Sequence, residues 1–328
     1  MDFIARKKTI FFIIFFALLV GVLVFVNFIY NQSGRLDENI VSWSGESLSC
    51  ANYSCSQLNL DNRNYQAYHP CLVQCGKEYE KYSDNQLNVI VPAGYGLLAK
   101  KNFADMKNCF PLLKKTLGVL PKYNELFITF ILSDENKDFA SPEASGVYYY
   151  RTKKSIDSDL KRDETGRGVE VGVNVCNNAH ELTHIFTGQL NLPHWASEGI
   201  ATYAAMKNSS TKLVCYEEGW KFSGSHAQTQ IIKSYSDLNK SWNSKEPSAQ
   251  NNWYNTAGCV FERLAQKYGE EMIVQVLQTF EKYAVNHEPD VKIGEGLDQF
   301  SSKIFIEQGI AAVMGEEAKK ELKLIFGL

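Results

Sequence analysis

The chain has 328 residues, 34 lysines and arginines against 37 aspartates and glutamates, and a formal net charge of −3. Apolar residues make up 45% and aromatics 12%, which is enough for a real core and excludes a disordered tail or a collagen-like rod. The charge balance lacks the basic surplus that phosphate backbones demand, so it argues against nucleic acid as a partner.

The first element predicted is a membrane anchor over residues 9–30. No charge occurs from Thr9 to Gly34, and Ile10 to Tyr30 is almost entirely Ile, Phe, Leu and Val, with Asn27 as the main polar interruption. A helix rising about 1.5 Å per residue over that run spans roughly 30 Å, the thickness of a bilayer core. A cleaved signal peptide would have a shorter apolar region ending in small residues, and Asn31-Gln32-Ser33-Gly34 is a poor cleavage site. Arg6, Lys7 and Lys8 precede the span, so the positive-inside bias keeps residues 1–8 in the cytoplasm and sends the rest across. The expected product is a single-pass protein with an extracytoplasmic domain. No second apolar stretch of that length occurs in the sequence, which excludes a multi-pass protease.

Residues 31–49 read as a polar linker and residues 50–82 as a Cys-rich neck. Outside the cytosol thiols tend to be oxidised. Cys50, Cys55, Cys71 and Cys75 therefore suggest a hairpin held by two disulfides in preference to a four-cysteine metal site. A nested pairing suits two short helices, and other pairings remain open. Cys109, Cys176, Cys215 and Cys259 leave room for one or two further bridges without assigning them. Asn52, Asn208 and Asn239 head N-x-S sequons.

Residues 83–328 read as one soluble domain. Leu87–Val91, Leu126–Leu132 and Gly146–Tyr150 have strand character, and Lys101–Leu117 is helical, with Pro111 a kink or break. Val169–Val175 alternates valine with other residues and is expected as a strand with one face inward and the other towards solvent or a cleft; as the edge strand above the cleft it could pair with an extended peptide. Helical patterns follow at 179–186, 195–206, 254–268 and 272–283, with two weaker ones to the C-terminus; residues 207–252 read as an irregular excursion. Strands first and helices later make the domain α+β.

The chemistry is expected at residues 180–198. His180-Glu181-Leu182-Thr183-His184 is H-E-x-x-H. On a helix the two histidines lie four residues apart on one face and can bind one Zn²⁺, with Glu181 beside them as general base. Asn177 or Asn178 can cap the start of that helix and Gly188 can end it. A catalytic zinc needs a third protein ligand and an open position. Two residues compete for the role, Glu198 and His194. Pro193 suits the first turn of a second helix, and a loop of about five residues lets that helix fold back, bringing Glu198 towards the histidines. The metzincin pattern would need Gly at 187 and His at 190, where this chain has Thr187 and Leu190. Glu198 is preferred, with His194 lining the cleft.

H-E-L-T-H followed by L-P-x-W-x-x-E-G-x-A (Leu192 to Ala201) resembles the gluzincin metallopeptidases of the peptidase MA type. The likeness extends over roughly residues 87–285, through Tyr235-Ser236-Asp237-Leu238 and a Tyr254-led helix ending in Tyr268-Gly269. His194 stands where that family usually has Arg. The resemblance implies a zincin-like fold: a mixed sheet with an edge strand, a zinc helix and a helical C-terminal part. It also implies His180, His184 and Glu198 as zinc ligands, Glu181 as base, peptide or protein as substrate, and an oxyanion donor for which Tyr254 is the candidate and His226 the reserve. The rival expectation is a zincin-like surface binding module without catalysis.

Overall fold

The structure, a computed structural model, describes residues 46–49, 78–84, 87–132, 139–143, 146–164, 176, 178–208, 215, 247–287 and 295–326. The anchor, the neck cysteines Cys50, Cys55, Cys71 and Cys75, the strand expected at 169–175, His226 and Tyr235–Leu238 lie outside them. Among the described residues no helix is long and apolar enough to cross a membrane. Residues from Gly45 onward form one compact unit.

Among the described residues six strands make one mixed sheet: β1 (Glu46–Ser49), β2 (Glu78–Asp84), β3 (Leu87–Pro92), β4 (Leu126–Leu132), β5 (Phe139–Glu143) and β6 (Gly146–Arg151), in the spatial order β1-β2-β3-β4-β6-β5. β3 runs parallel to β4 and β4 to β6, whereas β1–β2, β2–β3 and β5–β6 are antiparallel. The two central strands read Leu-Asn-Val-Ile-Val-Pro and Leu-Phe-Ile-Thr-Phe-Ile-Leu and are buried almost throughout. Continuous apolar runs of this kind belong to parallel strands covered on both faces. Pro142 sits in β5, which ends the described sheet, a position where a missing N–H is tolerated.

The helices are α1 (Gly96–Leu117), α2 (Lys153–Glu164), α3 (Ala179–Thr187), α4 (His194–Asn208), α5 (Pro247–Tyr268), α6 (Glu270–Asn286), α7 (Glu295–Ile304) and α8 (Ala312–Phe326), with a π-helical stretch, Phe305–Ala311, between the last two. The domain is α+β, as its sequence pattern indicates. α1 packs on β3, α3 packs on β5 and β6, and α4 packs on α3 and α5.

Three expectations need correction. α1 runs unbroken through Pro111. Proline removes one hydrogen bond and strains the preceding turn, but here it is exposed, while Phe103, Met106, Cys109, Leu113 and Leu117 bury the other face. The packing of that face outweighs the local loss. The domain boundary expected after residue 82 falls inside β2, which pairs with β3 from Tyr79↔Pro92 to Asp84↔Leu87. Residues 247–252, expected as part of an irregular excursion, open α5, so Tyr254 lies in its second turn.

Two disulfides occur among the described residues, Cys109–Cys176 and Cys215–Cys259. The first joins α1 to the residue that leads into α3 and bridges 67 positions of chain. Closing a loop of that length restricts the unfolded chain by about 4 kcal/mol on the loop-entropy model. The double substitution Cys109→Ser, Cys176→Ser is expected to lower unfolding free energy by about 2–5 kcal/mol, measured by denaturant titration. A change below about 0.5 kcal/mol would show that the bridge contributes nothing to stability. Asp105 joins these two cysteines in a cluster with metal-ligating side chains, but both sulfurs are committed to the disulfide.

The sequon at Asn208 is not a surface feature. Asn208 is buried, and its Nδ2 donates to Ala204 O at 2.8 Å and to Thr116 Oγ1 at 3.1 Å. The nitrogen that would carry a glycan is used in holding the end of α4 to α1.

Candidate metal centre

α3 begins at Ala179, with Leu182 N donating to Asn178 O at 3.0 Å. Asn178 occupies the N-cap position, but its side chain does not cap the helix. It reaches across to α1 instead. Asn178 Nδ2 donates to Asp105 Oδ2 at 2.6 Å, and the Asn178 backbone N–H donates to the same oxygen at 3.1 Å. Tyr149 of β6 donates its hydroxyl proton to Asn178 Oδ1 at 2.6 Å. The start of α3 is thus fixed to α1 and β6 by side chains, and by the Cys109–Cys176 bridge three residues before Ala179. Gly188 does not reverse the chain at the other end. It keeps helical dihedrals and opens a 3-10 turn, Gly188–Leu190, which stops at Asn191 with φ 49°. Asn tolerates that left-handed conformation better than most residues.

α4 then starts at His194, with Ala196 N and Ser197 N donating to Pro193 O at 2.8 and 2.9 Å. Pro193 therefore stands just before the helix, one residue earlier than its expected place in the first turn. α4 is held by its own buried face. Trp195 is buried, donates Nε1–H to Ser302 Oγ at 2.9 Å and stacks on Phe261. Gly199 lets α5 come close: a Cβ there would sit 2.7 Å from Ala257 O and from the Phe261 ring. This tight contact lies one residue after Glu198 and seats α4 on α5.

The result is convergence. Glu198 Oε2 lies 3.2 Å from His180 Nε2 and 3.4 Å from His184 Nε2. One donor atom from each of the three residues lies within 4.8 Å of the others. His194 meets the other carboxylate oxygen, its Nε2 3.7 Å from Glu198 Oε1, and its ring stacks on Trp253. His194 is therefore beside the cluster and outside the three-donor set.

The donor chemistry fits a divalent cation. Burial alone would discourage ionisation of Glu198, but hydrogen bonds from His180 and His184 outweigh it and hold the carboxyl down to about 2. No lysine or arginine among the described residues pairs with Glu198. His184 is oriented by a partner on its other nitrogen: Nδ1 lies 3.1 Å from Ser197 Oγ. In the tautomer that leaves Nε2 free to ligate, Nδ1–H donates to that hydroxyl, the kind of outer contact that fixes a ligating imidazole. Side-chain exposure is 29% for His180 against 11% for His184 and 14% for Glu198, so His180 is the most exposed of the three donors.

Glu181 follows His180 in the first turn of α3. Its pKa is raised, first by burial and further by the charge of Glu198, while the two imidazoles oppose the rise. The Tyr254 ring stands edge-on to His180 with centroids 5.8 Å apart. Burial and then the charges of Glu198 and Glu181 push its hydroxyl up to about 12, so it remains a proton donor across the ordinary pH range.

Sequence reading missed Ser197, Asp105 and Tyr149, and gave Asn178 only as a helix cap. No local motif marks them, and only the folded arrangement brings them to the site. No protein-family profile matches the chain, and no curated protein matches it.

Proposed function

We propose that the protein is a membrane-anchored zinc metallopeptidase that hydrolyses peptide bonds on the outer side of the membrane. The observation that carries the reading is the meeting of His180 Nε2, His184 Nε2 and Glu198 Oε2 within 4.8 Å, with Glu181 on the same helix. Two imidazoles and one carboxylate are the ligand set of catalytic zinc sites that keep one position open. The likeness of residues 180–201 to the gluzincins of the peptidase MA type supports the same reading. Export is supported by the uncharged stretch from Thr9 to Gly34 behind Arg6, Lys7 and Lys8, and by two disulfides in the folded domain.

His180, His184 and Glu198 would hold the ion, which when bound supplies Lewis acidity and lowers the pKa of water. Glu181 takes a proton from the attacking water and returns it to the leaving amine. Tyr254 donates a hydrogen bond to the carbonyl oxygen as negative charge builds on it. Ser197 keeps the His184 ring in its ligating orientation, and the Asp105–Asn178 contacts keep α3 from turning about its axis.

The direct test is zinc stoichiometry and peptide hydrolysis of the purified protein before and after chelation, with zinc added back. Loss and recovery of both together is expected. Stoichiometric zinc without hydrolysis of any peptide would favour the silent binding module. Tyr254→Phe is expected to lower kcat by about 10²–10³ with zinc content unchanged, as for loss of one oxyanion donor. An unaltered kcat would remove Tyr254 from the mechanism and leave it a packing residue against His180 and Trp253.

A further inference from the structure

A cavity of about 890 Å³ adjoins the candidate centre, with His184 and Glu198 in one wall. It extends along α3 away from His180. Its floor is where Gly188 follows His184 by four residues, continuing the face that carries both imidazoles. Gly188 has right-handed helical dihedrals, and an added Cβ would meet nothing within 4 Å. A side chain at this position would project into open space, and the backbone itself does not require glycine.

The walls differ in character. Ile185, Leu120 and, on α6, Ala284 and Val285 present apolar surface. Glu281, on the α6 turn before Ala284 and Val285, is half-buried beside them. Its neighbour is Gln189, whose Nε2 donates to Glu281 Oε1 at 3.3 Å and to Leu120 O at 2.8 Å. Among the described residues no lysine or arginine forms an ion pair with Glu281. Lys122 also lines the cavity, but it is exposed and its ammonium lies 6.0 Å over the Tyr123 ring.

An apolar guest would strip water from the Glu281 carboxylate without replacing its hydrogen bonds, and an acidic guest would add repulsion. A long aliphatic stem ending in a cation satisfies both walls, with the methylenes on Ile185, Leu120 and Val285 and the charge on Glu281. We propose that this cavity is a specificity pocket that takes a lysine or arginine side chain of the peptide substrate, with Glu281 selecting the cation. The proposal rests on the hydrolase reading above and deepens it.

The test uses zinc-loaded full-length protein and heptapeptide pools, degenerate except for a central residue fixed as arginine, lysine, norleucine or glutamate. Cleavage is read by mass spectrometry. Binding of the same pools, fluorescently labelled, to zinc-loaded Glu181→Gln is read by anisotropy. The arginine and lysine pools are expected to be cleaved, and bound, at least about tenfold better than the norleucine pool, the factor expected of one hydrogen bond to a charged group. Glu281→Gln should bring the basic and norleucine pools within about threefold of each other, and Glu281→Lys should turn the preference towards the glutamate pool. Gly188→Phe fills the floor without backbone strain and should abolish the basic preference while zinc content and melting temperature hold. Equal cleavage of all pools by an active parent, or an unchanged basic preference in Glu281→Gln, overturns the pocket and leaves the hydrolase standing. Failure to cleave any pool overturns the hydrolase, and the pocket then stands or falls on binding: equal affinity for all pools sinks it, and a tenfold basic preference sustains it.

Discussion

Glu181→Gln is expected to lower kcat for peptide hydrolysis by about 10²–10⁴-fold while leaving one zinc bound per chain. The amide is nearly the same size as the carboxylate and cannot accept a proton. It leaves His180, His184 and Glu198 in place, because α3 is held by Asn178, Asp105 and Tyr149 and not by Glu181. Removing a buried charge beside Glu198 also relieves repulsion, since the charge of Glu198 raises the pKa of Glu181. The folded protein should therefore be at least as stable as the parent by thermal melting. Steady-state kinetics and metal analysis on the same preparation check the claim. Full activity in the variant would remove Glu181 as the base, and loss of zinc would show that it ligates instead.

Glu198→Ala carries the other large effect, on the ion itself. Loss of a partner that only orients a ligand costs about 10–100-fold in metal affinity, so loss of a ligand should exceed about 100-fold. Competition with a calibrated chelator measures it. Hydrolysis should fall with occupancy and recover in part at high zinc. His194 supplies a control, since its Nε2 lies 3.7 Å from the carboxylate and its ring is engaged with Trp253. His194→Ala should leave zinc affinity within about threefold of the parent, below the range for an orienting partner. Reversed results would make His194 the third ligand and Glu198 its partner.

Both outcomes depend on how α4 is seated. Glu198 lies 14 residues after His184, a distance along the chain that fixes nothing by itself. The Asn191 left-handed turn, the start of α4 at His194 and the contact between Gly199 and α5 together return the carboxylate to the imidazoles. The order of the residues suggests such a return, and the packing of α4 against α5 sets where it ends.

The sequence alone determined whatever depends on near neighbours along the chain. The four-residue spacing of His180 and His184 places both rings on one helical face, because an α-helix turns once in 3.6 residues. The apolar runs at 87–91 and 126–132 and the periodicity from 179 onward fixed the α+β order in the same way. Only the tertiary structure decided the rest. It chose which cysteines pair, joined β2 to the sheet across an expected boundary, carried α1 through Pro111, and turned Asn178 from a helix cap into a tether to Asp105. It also placed Ser197 on His184 and opened the space above Gly188. These contacts join residues distant in sequence or set the distances between whole elements. Their energies come from burial and packing of many side chains at once, which no local pattern encodes.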